Sequence, residues 1–577
     1  MSPPAVRSGG FVLGWVPGYQ RAALTPDVLA GLTAAAVVIP KAMAYASVAG
    51  LSAQVGLYTA LVPPLVYAVL GGSRVLSVST TSTLGILTGA ALAQAAPGAD
   101  PARLVVVTAS LAVLVGMVLV VAAVARLGFL ANFISEPVLA GFKAGVGVII
   151  ILDQLPKALG LHIHKSGFFR NVLHLLEALP RTSLSTLAVS SVAVASILVL
   201  KHRYPRFPAT LAAVVLGIIA SAVLGLSARG VASVGAIPSG LPSLVPPDPA
   251  LLGELWVPAI ALALMSFAET VASERAFSPP GEPRPAANRE LMATGVANIA
   301  CGLVGGMPGG GGTSQTLVQA SGGARTQLAG LLVGVATLTT LFLFAPALAL
   351  LPEAVLASVV IVFSAELVSL RDFRAIAAIR RTEFIWTLAA LAGVLLLGTL
   401  KGIAVAVLVS FVALGYQASN PAVYEVVRKR GTGVFRRRSA KHPDDEAFPG
   451  LLLVRAEGRL FFGNTERVVD RVAELVAAAR PRVVVLDCSA IFDVEYSAVR
   501  MLVEAEQRAR RQGGELWLAA LNPAVKEVVR RSPLGATLGT ERLFYDLAQA
   551  VERFEARSDA SGPAVASPGQ KASPAPK

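Results

Sequence analysis

Two short stretches, Ser77–Leu87 (SVSTTSTLGIL) and Gly309–Val318 (GGGGTSQTLV), decide how this chain folds. Each begins with small or hydroxyl-bearing residues, continues as an apolar run, and lies where the chain is hydrophobic enough to be inside a membrane. A helix that starts inside a membrane leaves its first backbone N–H groups without intrahelical partners, and these groups and the helix dipole attract anions. Two such starts, one in each half of a membrane protein, are typical of the central site of a transporter. The alternative is a pair of flexible Gly/Ser loops at the membrane surfaces.

The composition indicates a membrane domain followed by a soluble domain. Of the 577 residues, 54% are hydrophobic and only 15% are charged, whereas an ordinary soluble domain carries about 25% charged residues. Charged residues are sparse as far as Gln417 and dense after Arg428. The net charge of +14 lies largely in short loops and just after the last apolar segment, which the positive-inside rule explains without a nucleic acid partner. The two cysteines, Cys301 and Cys488, indicate neither a disulfide framework nor a metal site.

Apolar segments near the roughly 20 residues that a spanning helix needs fall into two sets of seven. The segment that begins at residue 312 is too short to span alone, which suits a half-helix preceded by extended chain. An even total puts both termini on one side, and the arginines of short loops, such as Arg74, Arg126 and Arg371, predict that this side is the cytoplasm. The expected localisation is a multi-pass protein of an inner (plasma) membrane. The segments are 26–48, 54–71, 76–95, 103–125, 134–155, 183–201 and 207–226, then 251–274, 288–306, 312–322, 326–346, 352–369, 383–399 and 401–419.

The odd number of segments in each half predicts inverted repeats. The second half then enters the membrane from the opposite side, and the third segment of each half starts at mid-membrane. The two helix starts would face each other, and two positive dipole ends can meet there only beside an anion or a carboxylate. We therefore expect the substrate anion between them. The predicted donors are the backbone N–H groups around Ser79, Thr80, Gly312 and Thr313 and the hydroxyls of Ser79, Thr81 and Ser314.

A lysine lies at membrane depth in the first apolar segment. Ile39–Ala46 (IPKAMAYA) contains Lys41 and Tyr45, and Pro40 removes a backbone hydrogen bond and favours a break in the helix. An ionisable residue at this depth is a functional-site candidate by default.

A carboxylate lies at the corresponding position of the second half. In Phe267–Arg275 (FAETVASER), Glu269 and Ser273 are four residues apart and share a helix face. The alternative, in which long side chains extend to the membrane surface, suits Arg275. It does not suit Lys41 or Glu269, because apolar residues flank both on each side.

The pattern after Gln417 is that of a soluble α/β domain. A hairpin is expected at 451–462, a helix at 465–479, a buried strand at 483–486 and a helix at 497–511. The tail is rich in Ser, Pro and Ala, which predicts disorder. The predicted organisation is a cytoplasmic, interfacial segment at 1–25, a transport domain at 26–420, a basic linker at 421–448, an α/β domain at 449–555 and a disordered tail at 556–577.

These motifs resemble those of a known family. Asp27–Leu51 (DVLAGLTAAAVVIPKAMAYASVAGL), the stretch from Gly56 (GLYTALVPPLVYAVLGGSRVLSVST) and Glu136–Leu161 are similar to the SulP (sulfate permease) anion transporters. Residues 449–555 resemble the STAS domain of that family. The resemblance covers nearly the whole chain as far as residue 555. It implies an all-α polytopic domain of 7+7 inverted repeats with core and gate domains, elevator-like exchange or symport of small anions, and a homodimer.

Two departures from the family pattern bear on the site. The family usually has Gln where this chain has Lys41, and often Gly-Pro where it has Ser79-Thr80. In sodium-coupled members of the family, the positions that match Glu269 and Ser273 bind sodium. We expect Lys41 to pair with Glu269, because the two lie on neighbouring segments of the resembled fold. The ammonium would then replace the cation, which predicts transport independent of sodium.

The sequence thus favours a secondary active transporter of sulfate, bicarbonate or dicarboxylates, with proton coupling if Lys41 titrates. The alternatives are an anion channel of the same fold and a membrane-anchored STAS signalling protein. No nucleophile or metal constellation is present, so we expect no enzyme, cofactor or metal site. The expected partners are a small anion, the lipid bilayer, a second copy of the chain and a cytosolic partner of the STAS domain. The predicted substrate-binding residues are Lys41, Tyr45, Ser79, Thr80, Thr81, Glu269, Ser273, Gly312, Thr313 and Ser314.

Overall fold

The computed structural model describes residues 12–129, 135–161, 163, 167–204, 207–237, 240–278 and 285–560, the side chains of 558–560 aside. The chain divides into two compact units at Val412, and each is described by itself. Residues 1–11 of the predicted N-terminal segment lie outside the described residues. Within its remainder, the indole N–H of Trp15 donates to the Ala68 carbonyl over 2.8 Å.

The first unit is almost entirely helical, as the sequence predicts. Its first half contains α1 (Leu24–Val48), α2 (Ala53–Leu70), α3 (Ser82–Ala95), α4 (Pro101–Val124), α5 (Glu136–Leu159), α6 (Phe168–Ala178), α7 (Leu184–Arg203) and α8 (Ala209–Leu224). Its second half contains α9 (Leu252–Phe277), α10 (Ala287–Leu303), α11 (Thr313–Ser321), α12 (Leu328–Thr339), α13 (Ala345–Leu348), α14 (Glu353–Leu367), α15 (Leu370–Ile379), α16 (Arg381–Leu397) and the start of α17 (Thr399–Ser419), which crosses the boundary at Val412. A π-helical turn, Thr340–Phe344, joins α12 to α13.

Membrane-spanning length is reached by single helices and by runs of consecutive helices. Among the described residues, nine helical stretches are long and apolar enough to cross a membrane. The other predicted segments correspond to the shorter helices α3, α8, α10, α11 and α16. The amphipathic helices α6 and α15 occupy corresponding places in the two halves, after the fifth segment of each.

Helix packing repeats between the two halves, as an inverted repeat requires. Helix α3 packs against α9, and its counterpart α11 packs against α1. In the same way α4 packs against α10 as α12 packs against α2, and α5 packs against α16 as α14 packs against α7. The pairings define two layers. We call α1–α4 with α9–α13 the core layer, and α5–α8 with α14–α17 the gate layer.

The second unit is an α/β domain built on one six-stranded sheet. Its strands are β3 (Val423–Arg428), β4 (Phe435–Arg437), β5 (Leu451–Ala456), β6 (Val483–Asp487), β7 (Glu515–Ala519) and β8 (Leu543–Phe544), following the two-residue strands β1 (Val78–Ser79) and β2 (Gly310–Gly311) of the first unit. Their order in the sheet is β4-β3-β5-β6-β7-β8, with β5 to β8 parallel. All five residues of β6 are buried. The helices are α18 (Thr465–Ala479), α19 (Tyr496–Arg511), α20 (Pro523–Arg530), α21 (Pro533–Leu538) and α22 (Leu547–Ala560).

Three predictions for this region differ from the structure. The stretch 421–448, predicted as a linker, contributes β3 and β4, and β3 pairs antiparallel with β5. The predicted hairpin is wrong, because β5 lies between β3 and β6 and the chain after it makes only an isolated bridge, Leu460 to Val494. The start of the predicted tail is helical, since α22 continues to Ala560, and residues 561–577 lie outside the described part of the chain.

An ion pair fixes the edge strand β4. The Nε and Nη2 atoms of Arg436 each lie 2.8 Å from a carboxylate oxygen of Asp445. The hydrogen bonds from this guanidinium hold the pKa of the Asp445 carboxyl below its usual value. The contribution of the pair to stability is therefore present at neutral pH and is lost as the pH falls through the lowered pKa.

The two extra strands lead to a prediction about the stability of the isolated domain. A fragment spanning 421–560 should unfold cooperatively in thermal circular dichroism. A fragment that begins at 449 lacks β3, whose Val426 and Val427 are buried. It should lose about 3 kcal/mol, on the order of the burial energy of two valines. Equal melting temperatures for the two fragments would show that β3 is dispensable.

Candidate functional site

The centre of the site is an antiparallel crossing of two short strands, β1 and β2. Val78 pairs with Gly311 and Ser79 pairs with Gly310. Helix α3 begins three residues after this crossing and α11 begins two residues after it. The pairing therefore brings the N-terminal ends of two half-helices together, as the sequence predicts.

Side chains of neighbouring helices complete the hydrogen bonding of β2. The Asn298 amide accepts from the Gly309 N–H over 2.8 Å and donates to the Gly309 carbonyl over 3.0 Å. The Ser266 hydroxyl donates to the same carbonyl, and the Thr270 hydroxyl accepts from the Gly311 N–H. These three residues were not predicted as site residues, although each is a polar side chain within an apolar helix, which is a signal that the sequence carries.

One predicted anion donor is already used by the protein. The Gly312 N–H donates to the Ser77 carbonyl over 3.2 Å, and the Gln315 amide donates to the same oxygen over 2.9 Å. The N–H groups at the start of α11, from Thr313 onward, are the ones that a helix leaves without intrahelical partners. They replace the Gly312 N–H as the candidate donors.

Thr81 joins the start of α3 to the carboxylate of α9. Its hydroxyl oxygen caps the helix by accepting from the Leu84 N–H over 3.2 Å, and its hydroxyl donates to Glu269 Oε2 over 2.7 Å. The adjacent Thr80 hydroxyl is buried and has no hydrogen-bond partner among the described residues. It is therefore a donor that remains available to a bound anion.

The partner of Lys41 is not the predicted one. Its ammonium donates to the Ser314 hydroxyl over 2.7 Å and lies 3.7 Å from the ring centroid of Phe363. No ion pair joins Lys41 to Glu269 within the described residues, so the predicted pairing is wrong. Because Thr81 holds Glu269 and Ser314 holds Lys41, each charged group bonds to the start of a half-helix.

Two further predicted residues support the crossing. The Ser79 hydroxyl donates to the Thr59 carbonyl over 3.1 Å. The Ser273 hydroxyl donates to the Gly311 carbonyl over 3.1 Å and lies 3.0 Å from the Thr313 hydroxyl. Their hydroxyls therefore hold the backbone of the site.

A cavity of about 800 Å³ lies against both half-helix starts, between the core and gate layers. Its inner part is formed by buried residues of the core layer, and its rim includes exposed residues such as Glu136, Arg275 and Asp372. Neither Ser79 nor Ser273 is among the residues that line it. The predicted residues that do line it are Lys41, Tyr45, Thr80, Thr81, Glu269, Gly312, Thr313 and Ser314.

The gate layer contributes charged residues that the sequence analysis missed. Lys143 of α5 and Glu366 of α14 line the cavity, as does Phe363. Glu366 also forms an ion pair with Lys201. Lys143 lies within an apolar segment, so the rule that singles out Lys41 would have found it too. Phe363 carries no such signal, because an aromatic residue in a membrane helix is unexceptional.

Comparison with known proteins identifies the family. A family model described as the sulfate permease family matches residues 24–390, and a model of the STAS domain matches residues 442–550. The chain belongs to the sulfate permease family. A probable sulfate transporter of Mycobacterium tuberculosis is 34% identical over 556 residues, which are 94% of this chain and 99% of that protein. The high affinity sulfate transporter 2 of Stylosanthes hamata is 25% identical and covers 94% of this chain and 86% of its own length.

Solved structures share the fold of this chain. The murine Solute Carrier 26 family member A9, an anion transporter solved in the inward-facing state, matches with a TM-score of 0.86 at 21% identity over 96% of each chain. The transmembrane domain of the cyanobacterial bicarbonate transporter BicA matches with a TM-score of 0.57 at 24% identity, over 68% of this chain and 98% of that domain. These matches confirm the predicted polytopic helical domain with a C-terminal STAS domain. Because the relatives are named transporters, the family assignment also confirms the expectation that the chain is not an enzyme.

The tight packing of the crossing leads to a prediction. A Cβ atom added at Gly311 would lie 2.8 Å from the Thr270 Cα, whereas one added at Gly312 would meet the Gln315 side chain. Gly311→Ala should therefore displace β2 from α9 and reduce anion uptake about a hundredfold, the scale of an ångström-sized misplacement at a site. Gly312→Ala should retain more activity, because a side chain yields more easily than a backbone. Uptake should be normalised to the amount of membrane-inserted protein. Full activity of Gly311→Ala would show that the crossing tolerates separation.

Proposed function

We propose that this chain is a secondary active transporter of small anions that binds its substrate at the two half-helix starts. The observation that carries the proposal is the convergence of α3, α11 and the Lys41 ammonium on one cavity. Helix N-termini supply positive partial charge and N–H donors, and a buried ammonium adds a full charge. The named relatives make sulfate the first candidate, with bicarbonate and dicarboxylates next.

Three groups are proposed to contact the anion directly. Lys41 donates to Ser314 and has further protons to offer. Thr80 lines the cavity, and its buried hydroxyl has no hydrogen-bond partner among the described residues. The backbone N–H groups at the start of α11, from Thr313 onward, are the third group proposed to contact the anion. Tyr45 also lines this cavity.

Alternating access is proposed to follow an elevator-like movement of the core layer against the gate layer. Support comes from the position of the cavity, because the half-helix starts belong entirely to one layer and the opposite wall to the other. With the predicted orientation, in which both termini are cytoplasmic, the exposed rim at Glu136, Arg275 and Asp372 faces the cytoplasm. The described conformation is then inward-facing.

Transport is proposed to be independent of sodium, although the predicted Lys41–Glu269 pair is not its reason. Lys41 and Lys143 line the same cavity as Glu269, and nearby positive charges disfavour an additional cation in a low-dielectric site. The Ser273 hydroxyl is also engaged with Gly311 and Thr313. Proton coupling is the second candidate, supported by two buried ionisable groups, Lys41 and Glu269, on one cavity.

The remaining alternatives make separate predictions. An anion channel of this fold would give voltage-clamp currents far above transporter turnover. A STAS signalling protein would have no use for the charged cavity. A homodimer in a plasma membrane and a cytosolic partner of the STAS domain stay predictions, and the mass of the detergent-solubilised protein tests the first of them.

The substrate is tested by uptake into proteoliposomes. Labelled sulfate, bicarbonate and succinate should each be offered with sodium, potassium or choline as the only added cation, at several imposed pH gradients. We expect sulfate uptake of equal rate in sodium and in choline salts. A strict sodium requirement would overturn the sodium-independent proposal. Accumulation of none of the anions would overturn transport itself.

Thr80 allows a matched test of anion binding. Thr80→Val removes the unpartnered hydroxyl but keeps the shape, and a hydrogen bond to a charged group contributes about 1.5–3 kcal/mol. We expect a rise in KM of roughly tenfold to a hundredfold, with Thr80→Ser close to the unmodified protein. Thr88→Val is the control, because Thr88 of α3 is equally buried, has no hydroxyl partner among the described residues and does not line the cavity. Equal effects of the two valine variants would argue against a role for Thr80 in binding.

A further inference from the structure

The contact between Lys41 and Phe363 joins the two layers of the membrane domain. Lys41 lies on α1 of the core layer, and Phe363 lies on α14 of the gate layer. Lys41 is 2% exposed, and its ammonium lies 3.7 Å from the ring centroid, with the Ser314 hydroxyl as its hydrogen-bond acceptor. Ser314 belongs to the core layer and would travel with Lys41 if that layer moves. Phe363 would not.

An ammonium over an aromatic face is stabilised by the negative face of the ring, and more strongly when water is excluded. Moving the core layer would remove this stabilisation and carry a buried cation without its counter-group through an apolar interface, which is costly. An anion seated beside Lys41 would neutralise the charge and travel with it. In the empty protein, the Phe363 ring is therefore needed to stabilise the Lys41 ammonium. In the loaded protein, the bound anion takes over this stabilisation.

Glu366 of the gate layer lines the same cavity and also attracts the Lys41 ammonium. This carboxylate is exposed and forms an ion pair with Lys201, so water and that lysine weaken its effect on the buried ammonium, which the Phe363 ring contacts directly. Glu269 belongs to the core layer and accepts a hydrogen bond from Thr81.

We propose, building on the proposed transport function, that Phe363 is a positioning residue that restrains Lys41 in the empty carrier and thereby favours anion exchange over net transport. Exchange requires only movements of the loaded core layer. Net transport of any kind, proton-driven or not, requires the core layer to return empty, and that return breaks the contact between Lys41 and Phe363 without an anion to replace it. The residue thus acts on the ratio of the two fluxes.

A second lysine between the layers provides a matched control. The Lys157 ammonium of α5 donates to the Ser47 carbonyl of α1 over 3.0 Å and to the Ser47 hydroxyl over 2.8 Å. This contact also has to break when the layers move, but neither residue lines the cavity beside the half-helix starts. Its loss should therefore change the loaded and the empty movement by the same factor.

The test compares two fluxes in proteoliposomes that contain the full chain. Labelled sulfate, or whichever anion of the panel is carried, is measured as uptake into anion-free vesicles and as exchange into vesicles preloaded with the same anion. In the unmodified protein exchange should exceed net uptake. Phe363→Leu should raise the ratio of net uptake to exchange about tenfold, because loss of a desolvated cation–π contact is of this order. Phe363→Tyr should keep the ratio, and Lys157→Met should shift both fluxes together.

The same substitutions in a Lys41→Gln protein distinguish the contact of Phe363 with the ammonium from the contribution of Phe363 to helix packing. Gln is uncharged, so Phe363→Leu should leave the flux ratio unchanged there, as a double-mutant cycle requires when the coupled partner is absent. Phe363→Met serves as a second ring-free variant if Phe363→Leu is not inserted. An unchanged ratio in an active Phe363→Leu protein, or net uptake as fast as exchange in the unmodified protein, would overturn the inference. Slowing of both fluxes by one factor would also overturn it, since that is the result of a structural role alone. If no anion is carried, the proposed function itself fails.

Discussion

The crossing of β1 and β2 is the constraint on which the rest of the membrane domain depends. Non-helical backbone inside a membrane is tolerated only where its polar groups find partners. Here two residues of each strand pair with each other. The side chains of Ser266, Thr270 and Asn298 hydrogen-bond to the remaining backbone N–H and carbonyl groups of Gly309 and Gly311. Glycine is required because β2 runs against the backbone of α9. Once the crossing is fixed, the starts of α3 and α11 have to face the same cavity.

The sequence reveals this arrangement because the backbone demands it. Half-helices need capping hydroxyls, close backbone approach needs glycine, and both requirements appear in the composition of Ser77–Leu87 and Gly309–Val318. The number of segments predicts the inverted repeat, because an odd number of spanning segments in the first half makes the second half enter the membrane from the opposite side. Eight of the ten predicted site residues line one cavity for these reasons.

The hydrogen-bond partners of Lys41 and Glu269 are harder to predict from the sequence, because they depend on where each side chain points within a few ångströms. Neighbouring helices place Lys41 and Glu269 on one cavity, but the fold alone does not say which nearer group each will meet. Thr81 reaches Glu269 from the cap of α3, and Ser314 reaches Lys41 from the first turn of α11. Phe363 was invisible for a different reason: its role comes from the cation that it contacts, and that cation lies on a helix of the other half.

The same limit applies to the α/β domain. Strand β4 lies at the edge of the sheet with β3 next to it, and both carry charged side chains because most of their residues are only partly buried. Arg436 and Arg437 therefore look like part of a basic linker. The ion pair of Arg436 with Asp445 is evident only when both are placed. The buried central strand β6, with no charged residue before Asp487, was easy to recognise.

The electrostatic character of the cavity depends more on how deeply its charged groups are buried than on how many of them there are. Glu136, Glu366 and Asp372 would make the rim acidic, yet all three are exposed, so water and salt weaken their fields. Lys41 and Glu269 lie deeper, at 2% and 6% exposure, and each bonds to the start of a different half-helix rather than to the other. What remains at the bottom of the cavity is the positive ends of α3 and α11, which carry N–H donors that no side chain titration removes. In the proposed cycle, an anion bound there neutralises the Lys41 ammonium, and for this reason the core layer should move most easily when it is loaded.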